Sequence, residues 1–246
     1  MQLPFAGIEN IIGSGIIDSD RLWTCAKGSY ARPVAEHALL LGLAGLRLLH
    51  DRVRARTWGP AAGTSLYGAK VVILGGGGIA TQLLRLLEPF EVRSTVVRRT
   101  PQAVAGAGTT TGLEGLDGAL PDALLVFVAL ALTRQTRHVV GRRQLELMSE
   151  LAWLVNVGRG GHVDTDALVA ALHLGAIGGA ALDVTDPEPL PDGHPLWSAP
   201  NCIITPHTAD TWEMVMPLLA DRISDNVRRF VQGLPLEGVV DSVAGY

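Results

Sequence analysis

Cysteine is scarce in this chain, and neither sign of charge forms a block. The 246 residues include two cysteines, Cys25 and Cys202, which form neither a CxxC motif nor a disulfide framework. We expect both to be reduced thiols buried in the protein. The formal net charge is −4, from 20 basic and 24 acidic residues, so we expect no nucleic-acid partner and no basic membrane-binding face.

Long apolar runs and metal-binding motifs are also missing. The longest apolar run, Ala38–Leu49, is interrupted by Arg47 and is shorter than the ~20 residues that a transmembrane helix requires. The start of the chain lacks the basic-then-apolar order of a secretory signal. Without an HExxH motif or a cysteine cluster, we predict no metal site. The hydrophobic content of 48% instead predicts a soluble, globular, cytoplasmic protein.

Short apolar runs alternate with helical patterns from residue 70 onward. Six near-continuous apolar segments predict strands that are buried on both faces: Val71–Leu74, Ser94–Val97, Leu124–Ala129, Trp153–Val157, Ala180–Val184 and Cys202–Thr205. Three segments between them have helical spacing: Thr81–Leu87, Gly141–Met148 and Thr165–Leu174. This alternation predicts an α/β protein with a doubly wound parallel sheet.

Two longer helices are predicted on either side of this region. Pro33–Arg56 predicts one long helix, and because its middle is apolar nearly all round, we expect it to be buried between two bodies. Thr211–Gln232 predicts a second helix that ends at Gly233, a residue suited to a helix C-terminus.

A glycine-rich loop joins the first predicted strand to the helix that follows it. Gly75, Gly77 and Ala80 match the pattern GxGxxG/A. In such loops the first glycine permits a tight turn, and the second lets the backbone approach a pyrophosphate at the helix N-terminus. A flexible turn is the alternative for a glycine run, but the strand before it and the helix after it favour a dinucleotide site. We predict cofactor contacts at Gly75, Gly77, Gly78 and Ile79.

The residues after the second predicted strand bear on which dinucleotide binds. An acidic residue there would accept hydrogen bonds from the ribose hydroxyls of NAD. Arg98 and Arg99 occupy the place instead, and two guanidinium groups pair well with a 2′-phosphate. A pair of solvated surface arginines is the alternative. We therefore predict NADP as the cofactor, with NAD possible.

Three later segments carry a family resemblance: Leu154–Asp164, Leu182–Pro191 and Ile204–Ala209. In this order behind a GxGxxG loop, they resemble the signatures of the D-isomer-specific 2-hydroxyacid dehydrogenases. The resemblance implies an NAD(P)-dependent oxidoreductase with a Rossmann domain and a flavodoxin-like substrate domain. It also implies a small 2-oxo or 2-hydroxy acid substrate, such as glyoxylate or hydroxypyruvate, and a homodimer.

The resemblance implies a catalytic role for Arg159, Glu188 and His207. Reduction of a 2-oxo acid places a proton on the carbonyl oxygen, and a histidine oriented by a carboxylate can supply it near neutral pH. A guanidinium can hold the substrate carboxylate through two contacts. The backbone around Ala6 and Gly7 is implied as a second carboxylate site.

The remaining implied contacts concern the cofactor. The resemblance implies that Asp183 holds the nicotinamide amide. It also implies cofactor contacts at Thr136, Val157 and Gly158. Ala131 departs from the family pattern, which usually has a proline at this place in a loop that lines the cofactor. The six histidines other than His207, including His37, show no ligand spacing, so we assign them structural roles.

The resemblance divides the chain into three parts. Residues 33–207 are the predicted NAD(P)-binding domain, residues 1–32 a remnant of the substrate domain, and residues 208–246 a helical segment that returns to it. Family members carry several tens of residues before the equivalent of Gln2, so we expect an incomplete substrate domain. That expectation leaves an alternative, a catalytically silent dinucleotide-binding regulator. A methyltransferase with a glycine-rich loop does not explain Arg159, Glu188 and His207.

Overall fold

A computed structural model describes residues 1–8, 11–12, 14–18 and 20–241 of the chain. The strands are β1 (Lys70–Leu74), β2 (Arg93–Val97), β3 (Thr109–Thr111), β4 (Ala123–Val128), β5 (Trp153–Asn156), β6 (Gly179–Leu182) and β7 (Cys202–Ile204). They form one sheet in the order β3-β2-β1-β4-β5-β6-β7, and every neighbouring pair is parallel. The α-helices are α1 (Ala31–Leu46), α2 (Leu49–Arg52), α3 (Gly78–Leu87), α4 (Leu116–Ala119), α5 (Arg142–Leu147), α6 (Thr165–Leu174) and α7 (Trp212–Val231).

The sheet is buried on both faces because its central strands are apolar at nearly every position. Val71 and Ile73 of β1 pack into one buried cluster with α1 and α3. Val72 and Leu74 pack into a second cluster with α4, α5 and α6 on the other face. Alternate side chains of one strand therefore pack into the hydrophobic cores on the two faces of the sheet. The prediction of a doubly wound parallel sheet is confirmed.

The six predicted strands are all present, with ends that differ by one or two residues. The sequence did not indicate β3. This strand has three residues, all threonine, and it lies at the edge of the sheet, where its side chains are partly exposed. An edge strand of this kind needs no apolar run.

The prediction of one helix over Pro33–Arg56 is wrong. Helix α1 ends at Leu46, Leu48 has a left-handed backbone with φ of 50°, and the short α2 follows. The Leu46 carbonyl accepts a hydrogen bond from the Thr64 amide at 2.8 Å, so a returning loop replaces the next helical turn. Among the residues that the structure describes, Leu40 of α1 is 56% exposed, so this side of the helix is not covered by them.

The two ends of the chain pack against each other beside the sheet. Thr24 forms a parallel bridge with Gln2 and an antiparallel bridge with Val239. Helix α7 contacts this region through Val215 and Leu219, and Gly233 follows the helix with φ of +68°. The assignment of 1–32 and 208–246 to a second, incomplete domain stays a prediction. Residues 9, 10, 13, 19 and 242–246 of those ranges lie outside the described residues.

Both cysteines are free thiols. Cys25 is buried and Cys202 is partly buried in β7, where burial raises the pKa of the Cys202 thiol to about 12. Over the residues that the structure describes, no helix is both long and apolar enough to cross a membrane. In the same part of the chain, no three histidine, cysteine or acidic side chains are grouped as metal ligands.

Candidate active site

The predicted site residues lie mainly where strands of the sheet end. In a parallel sheet the carboxyl ends of neighbouring strands meet at one edge, where ligands bind in doubly wound folds. The segments at this edge are 75–78 after β1, 129–137 after β4, 157–163 after β5, 183–189 after β6 and 205–209 after β7. The order of the strands therefore brings the glycine loop and the three sequence motifs to the same edge.

The glycine loop is shaped to receive an anion. Gly75 has φ of +120°, and a Cβ there would overlap the carbonyl oxygen of Ala129, so only glycine fits. A Cβ on Gly77 would meet no atom within 4 Å, and Gly77 and Gly78 are exposed at the first turn of α3. Ile79 follows and packs on the core below. The open amides at this helix start fit a pyrophosphate.

Arg98 reaches the glycine loop, whereas the described contacts do not bring Arg99 there. A Cβ on Gly76 would lie 2.8 Å from Cδ and 2.9 Å from Nε of Arg98, so the arginine side chain crosses the loop. The Arg98 guanidinium donates to the carbonyl of Gln102 at 3.4 Å. Arg99 is exposed. The structure therefore places one predicted 2′-phosphate ligand directly beside the predicted pyrophosphate site.

His207 and Glu188 form a pair across two loops. Nδ1 of His207 lies 2.5 Å from Oε1 of Glu188, and the side chains are 43% and 39% exposed. Because a carboxylate only accepts hydrogen bonds, Nδ1 carries the hydrogen and Nε2 is left for proton exchange. The backbone of His207 is left-handed, with φ of 52°. The contact between His207 and Glu188 that the resemblance implies is therefore present in the structure.

Asp183 lies behind this pair with a buried carboxylate. Its Oδ1 accepts hydrogen bonds from the Thr205 hydroxyl at 2.6 Å and the Thr208 amide at 2.9 Å, and Oδ2 accepts one from the Ala209 amide at 3.1 Å. His37 Nε2 lies 3.3 Å from Oδ1. Burial favours the neutral acid, but the hydrogen bonds from His37, Thr205, Thr208 and Ala209 outweigh it and lower the pKa of Asp183 to about 2.

The low pKa of Asp183 gives a testable pH dependence of stability. A carboxyl whose pKa is lowered on folding stabilises the protein above its unfolded pKa, and that contribution is lost as the pH falls towards about 2. We expect wild type to lose about 1 kcal/mol more unfolding free energy than Asp183→Asn between pH 5 and pH 3.

Urea denaturation at the two pH values measures this difference. Asp166→Asn, which changes an exposed carboxylate on α6, is the matched control and should follow wild type. Equal losses in wild type and Asp183→Asn would show that the Asp183 carboxylate is not held in its ionised form by the fold.

Arg159 begins the turn that follows β5. Its guanidinium donates to the carbonyl of Gly158 at 2.8 Å, and its main-chain carbonyl accepts from Asn156 Nδ2 at 2.9 Å. A Cβ on Gly160 would overlap the carbonyl of Thr185, so the loops after β5 and β6 touch directly. This close approach brings Arg159 next to the loop that carries Glu188.

The sequence did not indicate Asp210, which lies among these groups. Burial raises the pKa of Asp210, the positive charges of His207 and Arg159 oppose that rise, and the Asp183 carboxylate adds to it. Burial and the Asp210 charge also raise the pKa of Tyr30, whose hydroxyl donates to the Pro4 carbonyl at 2.6 Å. Asp210 follows the third motif directly, but it stands at no position whose role the resemblance implies.

The other predicted contact residues are held inside their own loops. The Thr136 hydroxyl donates to the Ala131 carbonyl at 2.8 Å, and the Gly158 amide donates to Asn156 Oδ1 at 3.0 Å. Val157 is buried directly after β5. Ala6 and Gly7 lie in the N-terminal segment, where the Ala6 carbonyl contacts the thiol of Cys25. The described contacts do not join Ala6 or Gly7 to Arg159 or His207.

Comparison with known proteins places the chain in a family. Residues 37–209 match the model described as D-isomer specific 2-hydroxyacid dehydrogenase, NAD binding domain. This match covers the larger part of the chain and includes the glycine loop and all three motifs. The chain belongs to the D-isomer specific 2-hydroxyacid dehydrogenase family, a class of NAD(P)-dependent oxidoreductases, as the sequence predicted.

Two relatives show how much of such a protein this chain spans. An uncharacterized protein encoded in the proB 3′ region of Corynebacterium melassecola is 40% identical over 252 residues, which cover 100% of this chain and 83% of that protein. The glyoxylate reductase of Aeropyrum pernix is 36% identical over 183 residues, 73% of this chain. The match spans about half of that enzyme, 55% of its length.

A solved structure matches the whole chain. The D-isomer specific 2-hydroxyacid dehydrogenase from Xanthobacter autotrophicus Py2, in complex with NADPH and MES, superposes with a TM-score of 0.88 at 30% identity. The match covers 100% of this chain and 78% of that one. The family model that this chain matches is an NAD binding domain, so a nicotinamide dinucleotide is the cofactor class, as predicted.

Proposed function

We propose that this chain is an NADP-preferring reductase of small 2-oxo acids, such as glyoxylate or hydroxypyruvate. The observation that carries the proposal is the 2.5 Å contact between His207 and Glu188. It stands at the same sheet edge as Arg159 and an open glycine loop. A binding module needs the loop but has no use for a histidine that a carboxylate orients.

Arg159 would bind the substrate. A guanidinium donates two parallel hydrogen bonds to a carboxylate, which fixes the plane of the 2-oxo acid and turns its carbonyl in one direction. The 2.8 Å hydrogen bond to the Gly158 carbonyl holds one side of the guanidinium in place beside the turn after β5. The amides around Ala6 and Gly7 would take the second side of the carboxylate.

His207 would donate the proton that the carbonyl oxygen needs as charge develops on it. Glu188 holds Nδ1 and so directs Nε2, which would serve as donor in reduction and as acceptor in the reverse reaction. The nicotinamide cofactor supplies the hydride when it is bound. In the proposal, Thr136, Val157, Gly158 and Asp183 lie along its nicotinamide end, because these residues follow β4, β5 and β6.

An absorbance assay of NADPH oxidation with glyoxylate and with hydroxypyruvate tests the proposal. We expect turnover that depends on the 2-oxo acid and is faster with NADPH than with NADH. NADPH binding measured by fluorescence, without turnover of either acid, would contradict the reductase and favour the silent regulator.

The proposed preference for NADP depends on Arg98. Arg98→Asp should lower the ratio of kcat/KM with NADPH to that with NADH by about 10- to 100-fold, because a charge-assisted contact to the 2′-phosphate is replaced by repulsion. Steady-state kinetics with both cofactors measure the ratio. Arg93→Asp, an exposed change at the other end of β2, is the control. An unchanged ratio in Arg98→Asp would mean that this arginine is only solvated.

The exposed side of α1 supports a homodimer. Leu40 is 56% exposed there, and Leu39 and Leu43 beside it are half-buried. An apolar strip of this kind on a helix is typical of a subunit interface. Size exclusion with light scattering tests it. A dimer is expected at micromolar concentration, and a monomer would contradict it.

A further inference from the structure

We infer that His37 is a positioning residue of the active site, which ties Asp183 and the segment 205–209 to helix α1 and so fixes the orientation of His207. The inference rests on the proposed function. His37 lies in the second turn of α1, and its side chain is 16% exposed. Helix α1 packs directly on β5 and β6, whose ends lead into the loops of Arg159 and Asp183.

The His37 ring contacts two groups through one nitrogen. Nε2 lies 3.0 Å from Oγ1 of Thr205 and 3.3 Å from Oδ1 of Asp183. Thr205 has a single hydroxyl hydrogen, which it donates to Asp183 at 2.6 Å. Its contact with His37 therefore uses a hydrogen on Nε2. His37 Nε2 therefore donates towards Thr205 and Asp183. This contact joins helix α1 to the loops after β6 and β7.

Asp183 in turn hydrogen-bonds to the backbone of His207 and of the two residues that follow it. Its carboxylate accepts hydrogen bonds from the amides of Thr208 at 2.9 Å and Ala209 at 3.1 Å. Its main-chain carbonyl accepts a hydrogen bond from the amide of His207 at 2.9 Å. Three consecutive amides are thus held by one buried residue. Removal of one donor destabilises the buried Asp183 carboxylate, because few other hydrogen-bond partners can reach it. The contacts of this carboxylate with the amides of Thr208 and Ala209 are then weaker.

The backbone of His207 shows why such a hold is needed. A left-handed conformation, with φ of 52° here, is unfavourable for a residue with a side chain and persists only where its surroundings fix it. If the segment 205–209 were released, His207 would relax towards an ordinary backbone conformation, and its ring would turn away from the position that Glu188 sets. His37 would therefore act through His207 and not on the substrate.

His37→Leu tests this role, with His37→Gln as the conservative variant. Leucine removes the donor, whereas the glutamine amide can donate from about the place of Nε2. We expect kcat to fall about 10- to 100-fold in His37→Leu and to recover largely in His37→Gln. Hydride transfer becomes rate-limiting if the proton donor is misplaced, so the primary isotope effect with deuterated NADPH should rise in His37→Leu alone.

Two comparisons separate positioning from a loss of folding. His50→Leu removes a histidine of similar exposure, 12%, which contacts the ring of Trp153, so kcat should stay at the wild-type value in this variant. In the His207→Asn background, His37→Leu should cause little further loss of the residual activity, because the two residues act in series. Losses that multiply would contradict a role through His207.

Hydrogen exchange gives a readout that does not need turnover. The amides of residues 207–209 should exchange faster in His37→Leu than in wild type, while those of the glycine loop should not change. Equal exchange at residues 207–209 together with wild-type kcat would overturn the inference. A wild type without turnover would contradict the proposed function alone, and exchange would still decide whether His37 holds the segment.

Discussion

His207→Asn is expected to lower kcat about 10²- to 10⁴-fold, the range that a positioned acid–base group contributes. Asparagine places an amide nitrogen near the position of Nδ1, so the contact with Glu188 can survive. The group at the place of Nε2 is lost, and with it the proton for the carbonyl oxygen. NADPH should still bind, because the glycine loop lies at the end of another strand. Steady-state kinetics and fluorescence titration measure the two effects.

The control for His207 is a histidine away from the sheet edge. His173 is exposed on α6, where its ring contacts the Val169 carbonyl, so His173→Asn should keep wild-type turnover. If His207→Asn also kept it, His207 would not be the proton donor, and the His207–Glu188 pair would have no catalytic role.

Arg159→Ala is expected to act mainly on the substrate. Two charge-assisted hydrogen bonds to a carboxylate contribute roughly 3–6 kcal/mol, so kcat/KM for the 2-oxo acid should fall about 10²- to 10⁴-fold. Most of this loss should enter as a higher KM. Arg159→Lys should recover little, since a lysine ammonium cannot make the planar two-point contact. Kinetics over a wide range of glyoxylate concentration measure both constants.

Arg137 offers the matched comparison for Arg159. It lies in the loop after β4 and pairs with Asp186 at 3.4 Å, with 56% of its side chain exposed. Arg137→Ala should leave the KM for glyoxylate near the wild-type value. A normal KM in Arg159→Ala would show that the guanidinium does not bind the substrate carboxylate.

Much of the sheet could be predicted because its central strands are buried on both faces. Strand β4 is apolar throughout and β1 is apolar after Lys70, a pattern that needs no tertiary information. Two features depended on tertiary contacts and were missed or wrong. The edge strand β3 consists of threonines, and the end of α1 is set by a hydrogen bond from Thr64, eighteen residues beyond Leu46.

The candidate site divides in the same way. The motifs that contain Arg159, Glu188 and His207 each follow a strand that the sequence predicts, so the loops that carry them could be located. The sequence did not show which residues pack behind these three side chains and position them. His37 lies on a helix far along the chain from Asp183, and Asp210 carries no local pattern, so only the packing of α1 and α7 reveals their surroundings.

Deuterium transfer tests the central claim most directly, namely that this chain moves a hydride from NADPH to a 2-oxo acid. NADPH labelled in turn on each face of the nicotinamide would be incubated with the protein and hydroxypyruvate, and the glycerate analysed by mass spectrometry and chiral chromatography. We expect deuterium at C2 of D-glycerate from one labelled form only. Unlabelled product from both forms, or bound NADPH with no glycerate, would contradict the claim.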